Sequence, residues 1–305
     1  MAAMSRDSSP FSVLFCSHCS PACLRSALLP RGPAAHPFLL RPSPGQRNAT
    51  SDETWGFYFS GHLIVKAVVA DLVARRGLDK AEAVMLTGDS AGGGGTYRNA
   101  DWLRAALPAA RVVAVPNAGY HINATDYVTG DYVQDTAVNA VMAIQDKFVD
   151  QSCLAEHPDN PAVCEAGPTV YPYIRTPLFV LASQYDWGLL SDYHFPEPPK
   201  VSPFAPNATQ CAYFRSFGER ARTLLGEITR SPKKDGLFTP SCLTHVHGYL
   251  GTIGGVSFHD ALASWYFGRA GATQLIEDCG DAKVPCNPTC EVVSQKNITV
   301  PMSFC

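Results

Sequence analysis

The pentapeptide Gly-Asp-Ser-Ala-Gly at residues 88–92 decides the fold that this sequence predicts. It follows the apolar run 83–86 and precedes the glycines 93–95, which is the strand–turn–helix context of a nucleophile elbow. Small residues are needed two positions before and after Ser90, because a side chain there would collide with the neighbouring strand or helix. The turn exposes the Ser90 hydroxyl and places the Ala91 backbone N–H at a helix N-terminus, where it can stabilise an oxyanion. The alternative is a glycine-rich turn with a solvated serine.

Composition restricts the class of protein. The 305 residues fit one large α/β domain, and 46% hydrophobic with 17% charged residues is typical of a globular chain. A net charge of -3 without a basic run argues against a nucleic-acid or anionic-membrane surface. No apolar stretch approaches the roughly 18 residues of a membrane span. We therefore expect no nucleic-acid partner and no membrane span.

Cysteines and glycosylation sequons favour an oxidising compartment, so we expect a secreted or cell-wall protein. Eleven cysteines are many for a cytosolic enzyme, and their odd number leaves at least one thiol free or intermolecular. Four sequons begin at Asn48, Asn123, Asn207 and Asn297. The alternative use of the cysteines is zinc, but Cys16-x-x-Cys19 has no second matching pair after it.

The chain divides at residue 53 in this interpretation. Residues 1–53 form a divergent, partly disordered segment, in which 11–15 is too short an apolar stretch for a signal peptide and 30–46 is rich in Pro, Arg and Gly. Residues 54–305 form one domain.

Strands and helices alternate along that domain. Apolar spacing predicts helices over 63–72, 96–107, 138–148, 214–228 and 258–269, and strands over 83–87, 111–115 and 177–182. Gly77 supplies the stop of the first helix. This alternation predicts an α/β fold with a mostly parallel sheet and helices on both faces. Active residues then belong at the carboxyl ends of the strands.

A serine nucleophile needs a base and a carboxylate that orients the base. Asp186 lies just past the predicted strand 177–182, the expected place for the acid, and its alternative role is a turn residue or helix cap. Position favours His245 as the base, because it lies in a loop-like stretch between two predicted helices. His259 is near a helix start, which disfavours its protonated form, and it stays an alternative together with His247.

Several segments resemble the pectin acetylesterase and Notum family of carbohydrate esterases. They are Gly-Asp-Ser-Ala-Gly-Gly at 88–93, Thr-Pro-Leu-Phe-Val-Leu-Ala-Ser-Gln-Tyr-Asp at 176–186, Gly-Leu-Phe-Thr-Pro-Ser-Cys-Leu-Thr-His at 236–245, Ala-Ser-Trp-Tyr-Phe at 263–267, the helix region 59–77 and the pair at 153–164. The resemblance runs in order from about residue 55 to 290.

The resemblance implies an α/β-hydrolase-like fold with Ser90 as nucleophile, Asp186 as acid, His245 as base and Ala91 as oxyanion donor. It implies a monomeric esterase that removes O-acetyl groups from cell-wall polysaccharide without a cofactor or metal. The alternatives are hydrolysis of a longer acyl ester, as in the Notum branch, and an inactive fragment or binding module. Metal hydrolysis has no ligand cluster to support it, and a cysteine protease would need a cysteine at the elbow.

Two departures from the family pattern carry expectations. The family usually has Cys or Ser where this chain has Asp89, which adds negative charge near a developing oxyanion. The family's Gly-Gly-Gly-Trp loop, a source of further oxyanion donors, has no match in residues 1–60, where only 13–17 resembles a family strand. The chain is therefore expected to be N-terminally truncated, with a sheet incomplete at its N-terminal edge and an elbow strand open to solvent. Losing one oxyanion donor costs roughly 10²–10³ in kcat in a well-studied hydrolase, so weak or no activity toward acetyl esters is expected.

Disulfide pairings are expected around the cap and near the C-terminus. Cys153 and Cys164 resemble a cysteine pair of the family's cap region, and two prolines between them let the loop turn back. Cys279 is expected to pair with Cys286, Cys290 or an upstream cysteine, a choice that spacing leaves open.

Overall fold

The structure is a computed structural model that describes residues 11–17, 59–132, 135–145, 147–196, 206–290 and 304–305. Six strands form one sheet in the order β1-β2-β3-β4-β5-β8, and every neighbouring pair is parallel. A separate antiparallel ribbon consists of β6 and β7. The strands are β1 (Phe11–Ser17), β2 (Ala83–Asp89), β3 (Arg111–Asn117), β4 (Phe179–Leu181), β5 (Gly236–Thr239), β6 (Thr252–Ile253), β7 (Val256–Ser257) and β8 (Gln274–Ile276).

Helices connect these strands. The helices are α1 (Gly61–Arg76), α2 (Ala91–Ala106), α3 (Asp135–Gln145), α4 (Gln151–Glu156), α5 (Gly167–Val170), α6 (Trp187–Asp192), α7 (Ala208–Arg230) and α8 (Phe258–Phe267), with 3₁₀ turns at Leu78–Lys80, Pro161–Glu165 and Gly248–Leu250. Within the described ranges, no helix combines the length and apolarity that crossing a membrane requires.

The central strands are buried on both faces, as the alternation predicted. Val84 and Leu86 of β2 join a large core with residues of α2 and α7. Val113 of β3 points to the opposite face, where it packs with Trp265 and Tyr266 of α8. Helices therefore cover both sides of a parallel sheet, which confirms the predicted α/β class.

Most predicted elements are present with shifted ends. The first helix ends at Gly77, as the sequence predicted. Gly77 adopts the left-handed conformation (φ 68°) and is the C-cap of the helix. The elbow helix α2 begins five residues earlier than the predicted start at residue 96, immediately after the serine. Sequence reasoning missed the short strands β5 and β8, because four or three residues show no measurable alternation.

The expectation that the elbow strand is open to solvent is wrong for its backbone. β1 pairs with β2 along its whole length, from Phe11 opposite Ala83 to Ser17 opposite Asp89. On the other side β2 pairs with β3, so its backbone polar groups have partners on both edges. β1 contains the segment 13–17 that resembles a family strand, although it lies in the part of the chain expected to be divergent.

Four disulfides lie within the described residues. The expected pair Cys153–Cys164 is present, and Cys279 pairs with Cys286, the nearest of the candidates that the sequence left open. The other two disulfides are Cys211–Cys305 and Cys242–Cys290. The Cys16 side chain and Cys19 lie outside the described residues, so the alternative of zinc at Cys16-x-x-Cys19 is not tested by the structure.

Candidate active site

Ser90 occupies a sharp turn between β2 and α2. Its backbone has φ 57° and ψ -122°, a conformation that a residue with a side chain rarely adopts and that costs about 1–3 kcal/mol. The Ser90 N–H donates to the Asn117 carbonyl at the end of β3 (2.9 Å), which holds the turn in place. The predicted strand–turn–helix geometry of an elbow is therefore present.

Backbone contact explains why the elbow needs glycines. A Cβ at Gly93 would lie 2.2 Å from the Asn117 carbonyl oxygen, and a Cβ at Gly119 would lie 2.2 Å from the Gly93 carbonyl carbon. Neither neighbour is a flexible side chain that could move away. The start of α2 thus rests directly on the residues that end and follow β3, and both contact positions, Gly93 and Gly119, lie outside the pentapeptide.

Asp186 follows β4 and is almost fully buried (3% exposed). Its Oδ1 accepts hydrogen bonds from the backbone N–H groups of Gly188 (2.8 Å) and Leu189 (3.3 Å), so it is the N-cap of α6. The same oxygen lies 2.7 Å from His245 Nδ1. The two roles that the sequence offered for Asp186, helix cap and histidine partner, are therefore combined in one carboxylate.

His245 lies in the loop that follows β5, within hydrogen-bond distance of both other side chains. Its Nδ1 donates to Asp186, because an ionised carboxylate only accepts. Nε2 is then free to accept from the Ser90 hydroxyl, whose oxygen lies 2.6 Å away. The two alternative histidines lie elsewhere: His247 and His259 both face the ring of Tyr249.

The charges around His245 raise the pKa of its imidazole above the ordinary value. Burial alone would lower the pKa of His245, but the hydrogen bond and charge of Asp186 outweigh burial and raise the pKa above its usual range, with help from Asp192 and Asp89. Burial raises the pKa of Asp186, against the opposing hydrogen bonds from His245 and the α6 backbone. A charged pair of Asp186 and His245 is thus favoured once a proton reaches the imidazole.

Neighbouring residues that sequence reasoning missed confine the imidazole. Trp187 meets it edge to face, with ring centroids 5.5 Å apart. A Cβ at Gly188 would come within 2.8 Å of the ring, so this position needs a glycine. The Cys242–Cys290 disulfide fixes the loop three residues before His245. Burial and the charge of Arg98 lower the pKa of a second histidine, His121, to about 4, so it is neutral beside His245 at neutral pH.

Ala91 is the first residue of α2, so its backbone N–H has no acceptor inside the helix. It directly follows the serine, where an oxyanion formed by attack of Ser90 would lie. A hydroxyl, a histidine that accepts its proton, a buried carboxylate behind the histidine and a helix N–H form a set that is able to transfer acyl groups.

Comparison with known families and proteins gives one consistent result. The family model described as Pectinacetylesterase matches residues 44–291. Pectin acetylesterase 7 of Arabidopsis thaliana is 28% identical over 261 residues, which are 79% of this chain and 64% of that protein. Palmitoleoyl-protein carboxylesterase notum1' of Xenopus laevis is 28% identical over 207 residues, or 63% of this chain and 40% of that protein. The chain spans less than two thirds of the length of these relatives.

The fold is similar to that of a solved structure. A crystal structure of the Wnt deacylase Notum from Drosophila superposes with a TM-score of 0.67 at 24% identity and covers 81% of this chain and 69% of that chain. At this identity the similarity establishes the fold, which agrees with the α/β-hydrolase-like prediction.

Proposed function

This chain belongs to the pectinacetylesterase family, and on that premise we propose that it is a serine carboxylic-ester hydrolase that removes O-acetyl groups from cell-wall polysaccharide. The strongest support is the continuous hydrogen-bonded series from Ser90 through His245 to Asp186, at 2.6 and 2.7 Å. The names of the plant relatives support acetylated pectin as the substrate class.

The proposed reaction has two acyl-transfer steps. The Ser90 oxygen attacks the ester carbonyl while its proton moves to His245 Nε2, and Asp186 stabilises the resulting imidazolium. The Ala91 N–H binds the tetrahedral oxyanion. His245 then gives the proton to the leaving sugar oxygen, which frees the alcohol and leaves acetyl-Ser90. Water attacks this second ester by the same path, releases acetate and restores Ser90.

The domain boundary, the oligomeric state and the location of the protein belong to the same proposal. We assign residues 54–305 to a monomeric hydrolase domain, to which β1 adds one strand of the sheet. An extracellular or cell-wall location is supported by the four disulfides and by the exposed sequon residues Asn123 and Asn207. Weak turnover was predicted because residues 1–60 contain no match to the Gly-Gly-Gly-Trp oxyanion loop of the family. It stays a prediction, because residues 18–58 lie outside the described residues.

Ester hydrolysis and active-site labelling test the proposal together. We expect the purified chain to hydrolyse p-nitrophenyl acetate slowly and a fluorophosphonate probe to label Ser90, and Ser90→Ala to lose both. Acetate release from acetylated pectin tests the substrate class, and p-nitrophenyl octanoate tests the longer acyl ester. A folded protein that neither turns over the acetate ester nor takes up the probe would rule the function out. A kcat within about 1–10³ s⁻¹ would contradict the prediction of weak turnover.

A further inference from the structure

Asp89, the departure from the family pattern beside the nucleophile, has a specific partner. Its Oδ1 accepts a hydrogen bond from the Asn117 side-chain amide at 2.8 Å. The two residues end neighbouring strands and lie directly opposite each other in the register of β2 and β3. The carboxylate thus fixes the orientation of a buried amide (Asn117 is 6% exposed) at the base of the elbow.

The same amide nitrogen makes a second hydrogen bond, to another part of the site. Asn117 Nδ2 donates to the backbone carbonyl of Val246, also at 2.8 Å. Val246 directly follows His245, and 129 positions separate it from Asn117 in the chain. Both amide protons are therefore used, one on the elbow and one on the loop that carries the imidazole.

The Asn117 backbone contacts the elbow as well. Its carbonyl accepts the Ser90 N–H at 2.9 Å, so Asn117 contacts the nucleophile residue, its neighbour Asp89 and the residue after the base. The position needs a side chain with two donor protons, because the contacts to a carboxylate and to a carbonyl both require a donor.

We propose that Asn117 is a positioning residue that holds the His245 loop in register with Ser90, and that Asp89 keeps the Asn117 amide turned toward that loop. The proposal rests on the proposed hydrolase function for its kinetic consequence. The structural consequence, a loop tied to the elbow, is measurable without any substrate.

The negative charge of Asp89 has a separate effect, which the test must distinguish from the hydrogen bond. The titratable groups around His245 are Asp186 before α6, Asp192 in α6, Asp89 at the end of β2 and His121 after β3. Replacing Asp89 by Asn removes one negative charge, while the new side-chain oxygen still accepts from Asn117. That variant changes charge and keeps the tie.

Three variants separate the alternatives. Asn117→Leu removes both hydrogen bonds. The exchange Asp89→Asn with Asn117→Asp keeps an amide–carboxylate bond between the strand ends, which preserves the fold, but leaves the Val246 carbonyl without its donor. Asn99→Leu is the matched control: Asn99 is similarly buried (8% exposed) and makes two side-chain hydrogen bonds, one to the Gly95 carbonyl within α2 and one to His62 of α1.

The experiment measures kcat for p-nitrophenyl acetate at the high-pH plateau. In Asn117→Leu and in the exchange variant kcat should fall about 10²-fold, because displacing a catalytic group by about 1 Å lowers the rate by about that factor. KM should stay within about twofold of wild type. Asp89→Asn should keep its plateau kcat within about threefold and move the acid limb of kcat/KM to lower pH, because one charge that favours protonated His245 is gone. Asn99→Leu should lower the thermal midpoint without changing kcat.

Hydrogen exchange followed by mass spectrometry gives the readout that does not depend on activity. Exchange in peptides covering 241–250 should accelerate in Asn117→Leu and in the exchange variant, and stay unchanged in Asn99→Leu. An exchange variant with wild-type kcat and wild-type loop protection would overturn the proposal. A wild type with neither turnover nor probe labelling, whose loop exchange still accelerates in Asn117→Leu, would instead count against the hydrolase function and leave the tie supported.

Discussion

The elbow and the His245 loop meet at one hydrogen bond, yet they are built in opposite ways. The elbow is a local construction: a strand end, a strained serine and a helix start that rests on β3 through glycine backbone contacts. The His245 loop has almost no regular structure of its own. It is held by distant partners, among them Asp186, Asn117 and the Cys242–Cys290 disulfide.

The difference teaches where sequence information lies. Local geometry leaves a short signature, because strain and close packing at residues 88–93 permit only small residues at fixed positions. A loop held by long-range contacts leaves single residues scattered over the chain, and each of them has an ordinary alternative explanation. The two halves should accordingly respond differently to substitution.

The largest loss of kcat is expected from removing the negative charge of Asp186, which supports His245 when the imidazole takes the proton of Ser90. Asp186→Asn should lower kcat by about 10⁴, as in another hydrolase triad, because the amide no longer favours the required tautomer of His245. The pH profile should change too. Catalysis requires neutral His245, so kcat/KM rises with pH through the His245 pKa, which Asp186 now holds above its usual range. Without that charge, burial lowers the pKa and the acid limb of the residual activity moves to lower pH.

Asp192→Asn is the control for charge alone. Asp192 raises the pKa of His245 through space and makes no hydrogen bond to the ring among the described contacts. Its variant should move the acid limb in the same direction by less, with kcat at the plateau within about threefold of wild type. Equal losses of kcat in the two variants would mean that Asp186 acts only through its charge.

An intermediate effect is expected from cutting the covalent support of the loop. Replacing Cys242 and Cys290 together by Ala should lower stability by about 4 kcal/mol, because the bond closes a loop of 48 residues. It should also lower kcat by about 10-fold to 10²-fold, because His245 is only three residues from Cys242. Denaturant unfolding and steady-state kinetics on the folded protein measure the two effects.

The cap disulfide provides the matched control. The Cys153–Cys164 bond closes a loop of 11 residues. By the same chain-entropy argument it contributes about 3 kcal/mol to the free energy of unfolding. Its double Ala variant should lose stability and keep kcat. If both pairs affect kcat alike, the loop is not held specifically by Cys242–Cys290, and the contrast between the two halves weakens.

The sequence predicted the elbow and the helices around the sheet. It also predicted Ser90, His245 and Asp186, the three side chains that the structure brings together. Ser90 was accessible through local spacing, whereas position alone only favoured His245 over His247 and His259. Asn117 and Gly188 were inaccessible, since nothing near them in the chain indicates that one binds the Val246 carbonyl and the other faces the imidazole. The pairing of β1 with β2 was missed for a related reason: 65 residues lie between them, and strand neighbours are set by the whole sheet.

The smallest effect isolates the strain of the elbow. Ser90→Ala and Ser90→Gly both lack the hydroxyl and should both be inactive, so their stabilities compare backbones only. Glycine adopts φ 57° and ψ -122° without the cost of about 1–3 kcal/mol that alanine bears, although it loses about 0.5–1 kcal/mol more conformational entropy on folding.

We therefore expect Ser90→Gly to be more stable than Ser90→Ala by about 1 kcal/mol in denaturant unfolding. The opposite sign is expected for Ala105→Gly, an exposed position in the last turn of α2, where glycine costs up to about 1 kcal/mol relative to alanine. A Ser90→Gly variant that is less stable than Ser90→Ala by the amount seen at Ala105 would mean that the elbow relaxes when the hydroxyl is absent. The local half of the site would then depend on the His245 loop for its shape, and the two halves would no longer differ in kind.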